Sequence, residues 1–309
     1  MTEISDTKIV TDNLIQPFQM AEAGVRGRIV RVGDVLDDIL ARHNYPDRVA
    51  QLLGEGLVLA AMLGGALKFD GIFTVQTKGD GAISMIAADM STPGDLRGYA
   101  AFDADKLDAA EASTSTDIVS RFLGKGYIAF TIDAKGNEQR YQGIVELEGT
   151  NLAECMESYF TRSEQIETRL KVAVEKVDGK WRAGGLMIQR LPETGKLESD
   201  VEAAEEGWRN AEALVQTVTD EELTDTRLRS SELLYRIFHE DGVWLYDIHE
   251  LADNCSCSEA RVLNTLKSFS TENLEEMCED GVIGVDCQFC SARYELTVSD
   301  VEAANEDPS

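Results

Sequence analysis

Residues 73–87, FTVQTKGDGAISMIA, decide the fold class. Phe73–Thr77 is rich in β-branched and aromatic residues, Lys78-Gly79-Asp80-Gly81 supplies tight-turn chemistry, and Ala82–Ala87 resumes the apolar run. That order predicts a β-hairpin. The pattern recurs twice downstream: Tyr127–Ile132, a turn at Lys135-Gly136-Asn137 and Gln139–Glu146; then Glu167–Val177, Asp178-Gly179 and Trp181–Gln189. Between these two hairpins, Asn151–Phe160 reads as a helix with Asn151 as its N-cap. Upstream, Arg48–Leu67 (RVAQLLGEGLVLAAMLGGAL) is apolar or small on every side and lacks proline. It predicts a mostly buried helix, closely packed through Gly54, Gly56, Gly64 and Gly65. Local strand pairs interrupted by helices predict an α+β domain, residues 11–191, built on an antiparallel sheet.

Two further regions follow. Pro192 opens an acidic connector, residues 192–229. Between Glu193 and Thr226 it holds 11 acidic and 2 basic residues, a local charge of −9. Trp208, Ala211, Leu214, Val215 and Val218 nevertheless recur at helical spacing, so the connector reads as an amphipathic helix. With so much like charge it is marginal by itself and docks through a narrow apolar stripe. The third region, residues 230–301, begins with a short helical pattern and an aromatic-rich stretch after Glu240-Asp241-Gly242. Helices capped by Ser258 and Thr271 are expected next, then strands at Val282–Asp286 and Tyr294–Val298.

The whole chain has 309 residues and 57 Asp+Glu against 29 Lys+Arg, a formal charge of −28. Such a field repels phosphate backbones and anionic lipid, which argues against general nucleic-acid or membrane-surface binding. The longest mainly apolar run, Gly56–Leu67, falls short of the ~18 residues of a membrane span. The N-terminus has no basic start followed by an apolar core, so a cytoplasmic protein is the expectation. No catalytic motif stands out. Gly54-Glu55-Gly56 is followed by Leu59 where a dinucleotide fingerprint needs glycine, and His43, His239 and His249 have no evident nucleophile partner. A non-enzymatic role is expected.

Five of the six cysteines, Cys255, Cys257, Cys278, Cys287 and Cys290, crowd into the third region. In a reducing compartment such a cluster reads as metal ligands or redox thiols before it reads as a structural disulfide framework. Cys255-x-Cys257 and Cys287-x-x-Cys290 supply four soft donors suited to one tetrahedral zinc ion. Cys155 and Cys278 read as packing residues. A thioredoxin-like exchanger is a second reading, although it needs the CxxC to open a helix, and SARYELTVSD after Cys290 favours a strand. A zinc-ribbon nucleic-acid adaptor is a third, opposed by the charge. Zinc would hold the thiols as nucleophilic thiolates, and oxidants can carry them through sulfenic acid to disulfides. Because structural zinc contributes folding free energy, its loss should unfold the small domain beside a marginal helix.

Taken together, LKFDGIFTVQTKGDG (67–81), DLRGYA (95–100), YFTRSEQIET (159–168), GGLMIQRLP (184–192) and the CSC and CQFC pair preceded by FHEDGVWLYD resemble the redox-regulated heat-shock protein thirty-three family. The likeness runs from about Leu14 to Val301. It implies an ATP-independent holdase, inactive in its reduced zinc form, that binds unfolding client proteins when oxidised and is then often dimeric. It also implies disulfides Cys255–Cys257 and Cys287–Cys290, the second forming first. Ser163, Glu164 and Gln165 within the YFTRSEQ signature are expected to cap or brace a turn.

Overall fold

A computed structural model describes residues 12–66, 70–136, 140–192 and 198–306. Leu67 of the apolar helix, Asn137 and Gln139 of the second hairpin and residues 193–197 of the connector lie outside them. The described residues form two compact units that divide between Asp253 and Asn254.

The larger unit contains two six-stranded sheets. The first is made of β1 (Leu14–Met20), β2 (Val25–Val32), β8 (Thr168–Val177), β9 (Lys180–Arg190), β10 (Val243–Leu245) and β11 (His249–Glu250). Its order is β10-β1-β2-β9-β8, with β11 also paired to β1. The second sheet, β12-β5-β4-β3-β6-β7, uses β3 (Gly71–Gly79), β4 (Ile83–Ser91), β5 (Asp95–Phe102), β6 (Gly126–Ala134), β7 (Tyr141–Glu146) and β12 (Ala252–Asp253). All pairings are antiparallel except the two-residue parallel match of β12 to β5. The three expected hairpins are β3–β4, β6–β7 and β8–β9. In the last, Asp178 and Gly179 take φ of 53° and 81°, and Val177 pairs with Lys180. Positive φ at both loop residues is what a two-residue turn needs to match the twist of its strands.

Helices α1 (Asp34–Ala41), α2 (Asp47–Gly64), α3 (Ala104–Glu111) and α4 (Leu152–Tyr159) complete the α+β core. Helix α2 packs against strands of both sheets, and 14 of its 18 residues are buried. Its glycines allow the approach: a Cβ on Gly54 would sit 2.8 Å from Val174 of one sheet, and one on Gly64 would sit 2.8 Å from Met90 of the other. Asn151 caps α4 as expected, accepting from the Glu154 N–H at 2.9 Å. The helix then widens into a π-helical turn, Phe160–Glu164.

Beyond Pro192 come α5 (Glu198–Thr217), α6 (Asp220–Thr224) and α7 (Ser230–Phe238). The expected stripe is buried: Trp208, Ala211, Val215 and Val218 pack with Val25, Ile29, Leu186 and Ile188 on the outer face of the first sheet. Arg31, 2% exposed, pins the end of this connector, donating to the Asp225 and Glu222 carbonyls at 2.6 and 2.8 Å. Burial lowers its pKa to about 10. Residues 230–253, which the sequence pattern groups with the cysteines, lie in the larger unit. Leu233, Leu234 and Phe238 of α7 join the same cluster, and the Phe238 ring stacks on Phe18 at 5.6 Å. The amphipathic face of α7 thus finds its partner in strands more than 200 residues away in sequence.

The smaller unit holds α8 (Glu259–Leu266), α9 (Thr271–Glu276), α10 (Val298–Glu306) and the antiparallel ribbon of β13 (Ile283–Asp286) and β14 (Arg293–Leu296). Ser258 caps α8, accepting from the Arg261 N–H at 3.3 Å. The expected cap at Thr271 is corrected by one residue. Ser270 caps α9, accepting from the Asn273 N–H, and Thr271 is the first helical residue. Either hydroxyl suits an N-cap; the extended backbone at Ser270 (ψ 156°) decides between them.

Candidate metal centre

Cys255 and Cys257 sit in the irregular stretch between β12 and α8, which brings both sulfurs into one cluster. Cys287 ends the β13 side of the ribbon, and Cys290 lies in the turn that leads to β14. That turn is closed by two hydrogen bonds, Cys287 N–H to the Ala292 carbonyl and Ser291 N–H to the Cys287 carbonyl, both 2.8 Å. Ser291 takes a left-handed φ of 58° to complete it. The Ala292 N–H is directed at the Cys290 sulfur, as a metal-wrapping knuckle requires. A strand, not a helix, follows Cys290, which removes the context a thioredoxin-like exchanger needs.

The four Sγ atoms lie within 4.8 Å of one another. Cys255 and Cys287 approach to 3.8 Å, and Cys257 and Cys290 to 3.3 Å. In a tetrahedral tetrathiolate with metal–sulfur bonds of about 2.3 Å, sulfurs lie about 3.8 Å apart. The donor set and its spacing therefore fit a soft divalent ion. Burial, followed by the neighbouring thiols, pushes the Cys290 thiol up to about 12. A metal bound among the four sulfurs would reverse that preference at Cys290.

Tyr294, on β14, donates its phenol to Cys257 Sγ at 3.1 Å, and Arg261 donates to Ser256 Oγ at 2.8 Å. Neither contact is visible in the cysteine spacing, although an aromatic four residues beyond the CxxC was the available signal for the first. His239 and His249 belong to the larger unit and are not among the clustered donors. Cys278 packs against the apolar cluster of the smaller unit. Cys155 is fully buried in the main core, where burial pushes its thiol up to about 12, so it is a packing residue with little thiolate character. In the YFTRSEQ segment, Glu164 Oε1 accepts from the phenols of both Tyr141 and Tyr159, and Gln165 turns the chain with a left-handed φ of 55°.

Fold and site define an α+β protein whose C-terminal unit gathers four cysteines with the spacing to hold a metal ion. The family described as Hsp33 protein matches residues 13–297, and the chain belongs to this family. It is 40% identical to the 33 kDa chaperonin of Caulobacter vibrioides (strain NA1000 / CB15N) over 302 residues, 96% of this chain and 98% of that one. It is 39% identical to the 33 kDa chaperonin of Pseudomonas paraeruginosa over 289 residues, covering 93% and 92%. The crystal structure of the 33 kDa chaperonin (heat shock protein 33 homolog) from Thermotoga maritima shares the fold. The TM-score is 0.77 at 24% identity, over 96% of this chain and 99% of that one. No described helix is long and apolar enough to cross a membrane.

Proposed function

We propose that this chain is a redox-regulated, ATP-independent chaperone that holds unfolding proteins when oxidised. Family membership and the chaperonin names of its relatives support the chaperone role. The observation that carries the switch is the gathering of Cys255, Cys257, Cys287 and Cys290 in a unit with a very small apolar core. In this reading the reduced form holds one zinc ion on the four thiolates and is inactive. Peroxide takes a thiolate to sulfenic acid with release of hydroxide, and a neighbouring thiol then displaces water to form the disulfide. Pairing Cys255 with Cys257 and Cys287 with Cys290 consumes every ligand, and the freed unit loses the folding energy of the metal.

The working division is a chaperone core over 11–191, an acidic connector over 192–229 and a switch region over 230–301. In the state described, α7, β10 and β11 of the switch region are docked on the first sheet, and β12 pairs with β5 of the second. The oxidised form is a homodimer whose partners are unfolded proteins, not nucleic acid or membrane. It acts in the cytoplasm and carries out no catalysis. Zinc content and free thiols, measured before and after hypochlorite or peroxide, should fall together by one ion and four thiols. Suppression of the aggregation of a heat-denatured client should appear only after that change. Equal suppression by the reduced, zinc-loaded protein overturns the switch.

A further inference from the structure

A pocket of about 220 Å³ opens in the larger unit between the two sheets, and none of the four clustered cysteines lines it. One wall is aromatic: Phe130 and Tyr159 meet edge to face at 4.3 Å, with Phe73 stacked behind Phe130 at 6.2 Å. The opposite wall carries Arg26 and Arg28 of β2.

These two arginines break the pattern of their strand. Val25 and Ile29 face the connector helices, whereas Val30 and Val32 face the main core. Strict alternation therefore places Arg26 and Arg28 on the core-facing side. Arg26 is exposed and Arg28 half-buried on that side, and a charge held against an apolar face is a local conflict of the kind that marks functional sites. Neither arginine has a carboxylate partner among the described residues, in a chain with 57 acids and 29 bases. Arg26 donates only to Gln189 Oε1 at 3.3 Å, and the buried Arg28 Nε has no hydrogen-bond partner. The acid in the pocket, Glu164, is already engaged by two phenols. The π-helical turn and the left-handed Gln165 that place it are backbone features found preferentially at functional sites.

We propose that this pocket binds a small apolar carboxylate, with the acid group on Arg28 and Arg26 and the apolar body against Phe130 and Tyr159. A cavity of ~150 Å³ already accepts a benzene ring, so the space here takes one ring and a carboxylate but not a long chain. Burial and the neighbouring Arg26 lower the Arg28 pKa to about 10, a penalty that a bound anion relieves.

Calorimetric titration of the full-length, metal-loaded protein with phenylacetate, phenylacetamide and acetate tests the site. Phenylacetate should bind one per chain and at least tenfold more tightly than the amide, and acetate should give no saturable heat. Arg28→Gln should weaken phenylacetate at least tenfold, and Arg28→Lys should recover part of the loss. If Arg28→Gln does not fold by circular dichroism, the exposed Arg26→Gln serves instead, with an expected loss of about threefold. The proposal is overturned if the amide binds as tightly as the acid, if no saturable binding occurs at millimolar ligand, or if the folded arginine variants bind as well as the parent.

Discussion

In the larger unit α2 lies against two six-stranded sheets, and the main core joins residues from Ile15 on β1 to Leu251. In the smaller unit three helices and one two-stranded ribbon gather five buried apolar side chains, Leu266, Leu274, Ile283, Leu296 and Val301. The first has enough interior to be stable through packing. A domain the size of the second ordinarily needs a metal or disulfides to offset its chain entropy. On the proposed reading, the same polypeptide contains one body whose order depends on packing and another whose order depends on the chemical state of four sulfur atoms.

The strongest way to break that contrast is to remove the proposed metal. Chelation, or Cys290→Ser, should cost the smaller unit more than its whole stability, because structural zinc contributes about 10 kcal/mol or more. Hydrogen exchange should become fast from residue 254 onward while α2, β3 and β9 keep their protection. Slow exchange in the metal-free C-terminal unit refutes the contrast.

Packing defects should separate the units next. Phe122→Ala, at a fully buried site, should destabilise the larger unit by about 3–5 kcal/mol and leave zinc stoichiometry unchanged. Ile283→Ala should cost about 2–4 kcal/mol and weaken metal retention, because folding and binding are one equilibrium there. Chelator competition alongside thermal melts reads both effects.

Arg31→Ala sharpens the contrast within the larger unit. It deletes two charge-assisted hydrogen bonds to the connector and should cost about 2–3 kcal/mol. Exchange should quicken over α5 and α6 and stay unchanged in α2. Uniform loss of protection would show that the connector is not a separable layer.

The smallest effect concerns pH. Glu55, on α2, lines a second pocket together with Arg48 and Asp220, and its carboxyl is pushed up to about 7, by burial first. A carboxyl raised on folding favours the folded state below its unfolded pKa, and that contribution is lost as pH rises through about 7. Glu55→Gln should therefore gain about 1 kcal/mol relative to the parent at pH 8 and nothing at pH 4, in paired denaturant melts. A pH-independent difference disproves this assignment.

The parts legible in the sequence are those whose physics is local. Alternation with Asp178-Gly179 or Lys78-Gly79-Asp80-Gly81 specifies a hairpin without outside help. Donor chemistry and spacing single out the four cysteines that the structure brings together. The β1–β2 hairpin and α1 are not legible in the sequence because Leu14–Ala41 carries no equally sharp turn signature. The pairing of β12 with β5 spans two residues, too few for any periodicity. The grouping of α7 with the first sheet depends on a surface assembled from distant strands. Arg26 and Arg28 look like ordinary surface residues until the fates of Val25, Ile29, Val30 and Val32 show which way they point.

The segment from Val243 to Asp253 supplies β10 and β11 beside β1, then β12 beside β5. It is fastened by the Leu251 N–H to the Asn13 carbonyl, the Ala252 N–H to the Gly94 carbonyl, and the ion pair of Asp253 with Arg42. One short stretch thereby shields an outer strand of each sheet. A chain truncated before Val243 would bare two rows of unsatisfied backbone donors and acceptors at once, inviting strand exchange between copies and self-association. Its solubility would then rest on the acidic surface alone.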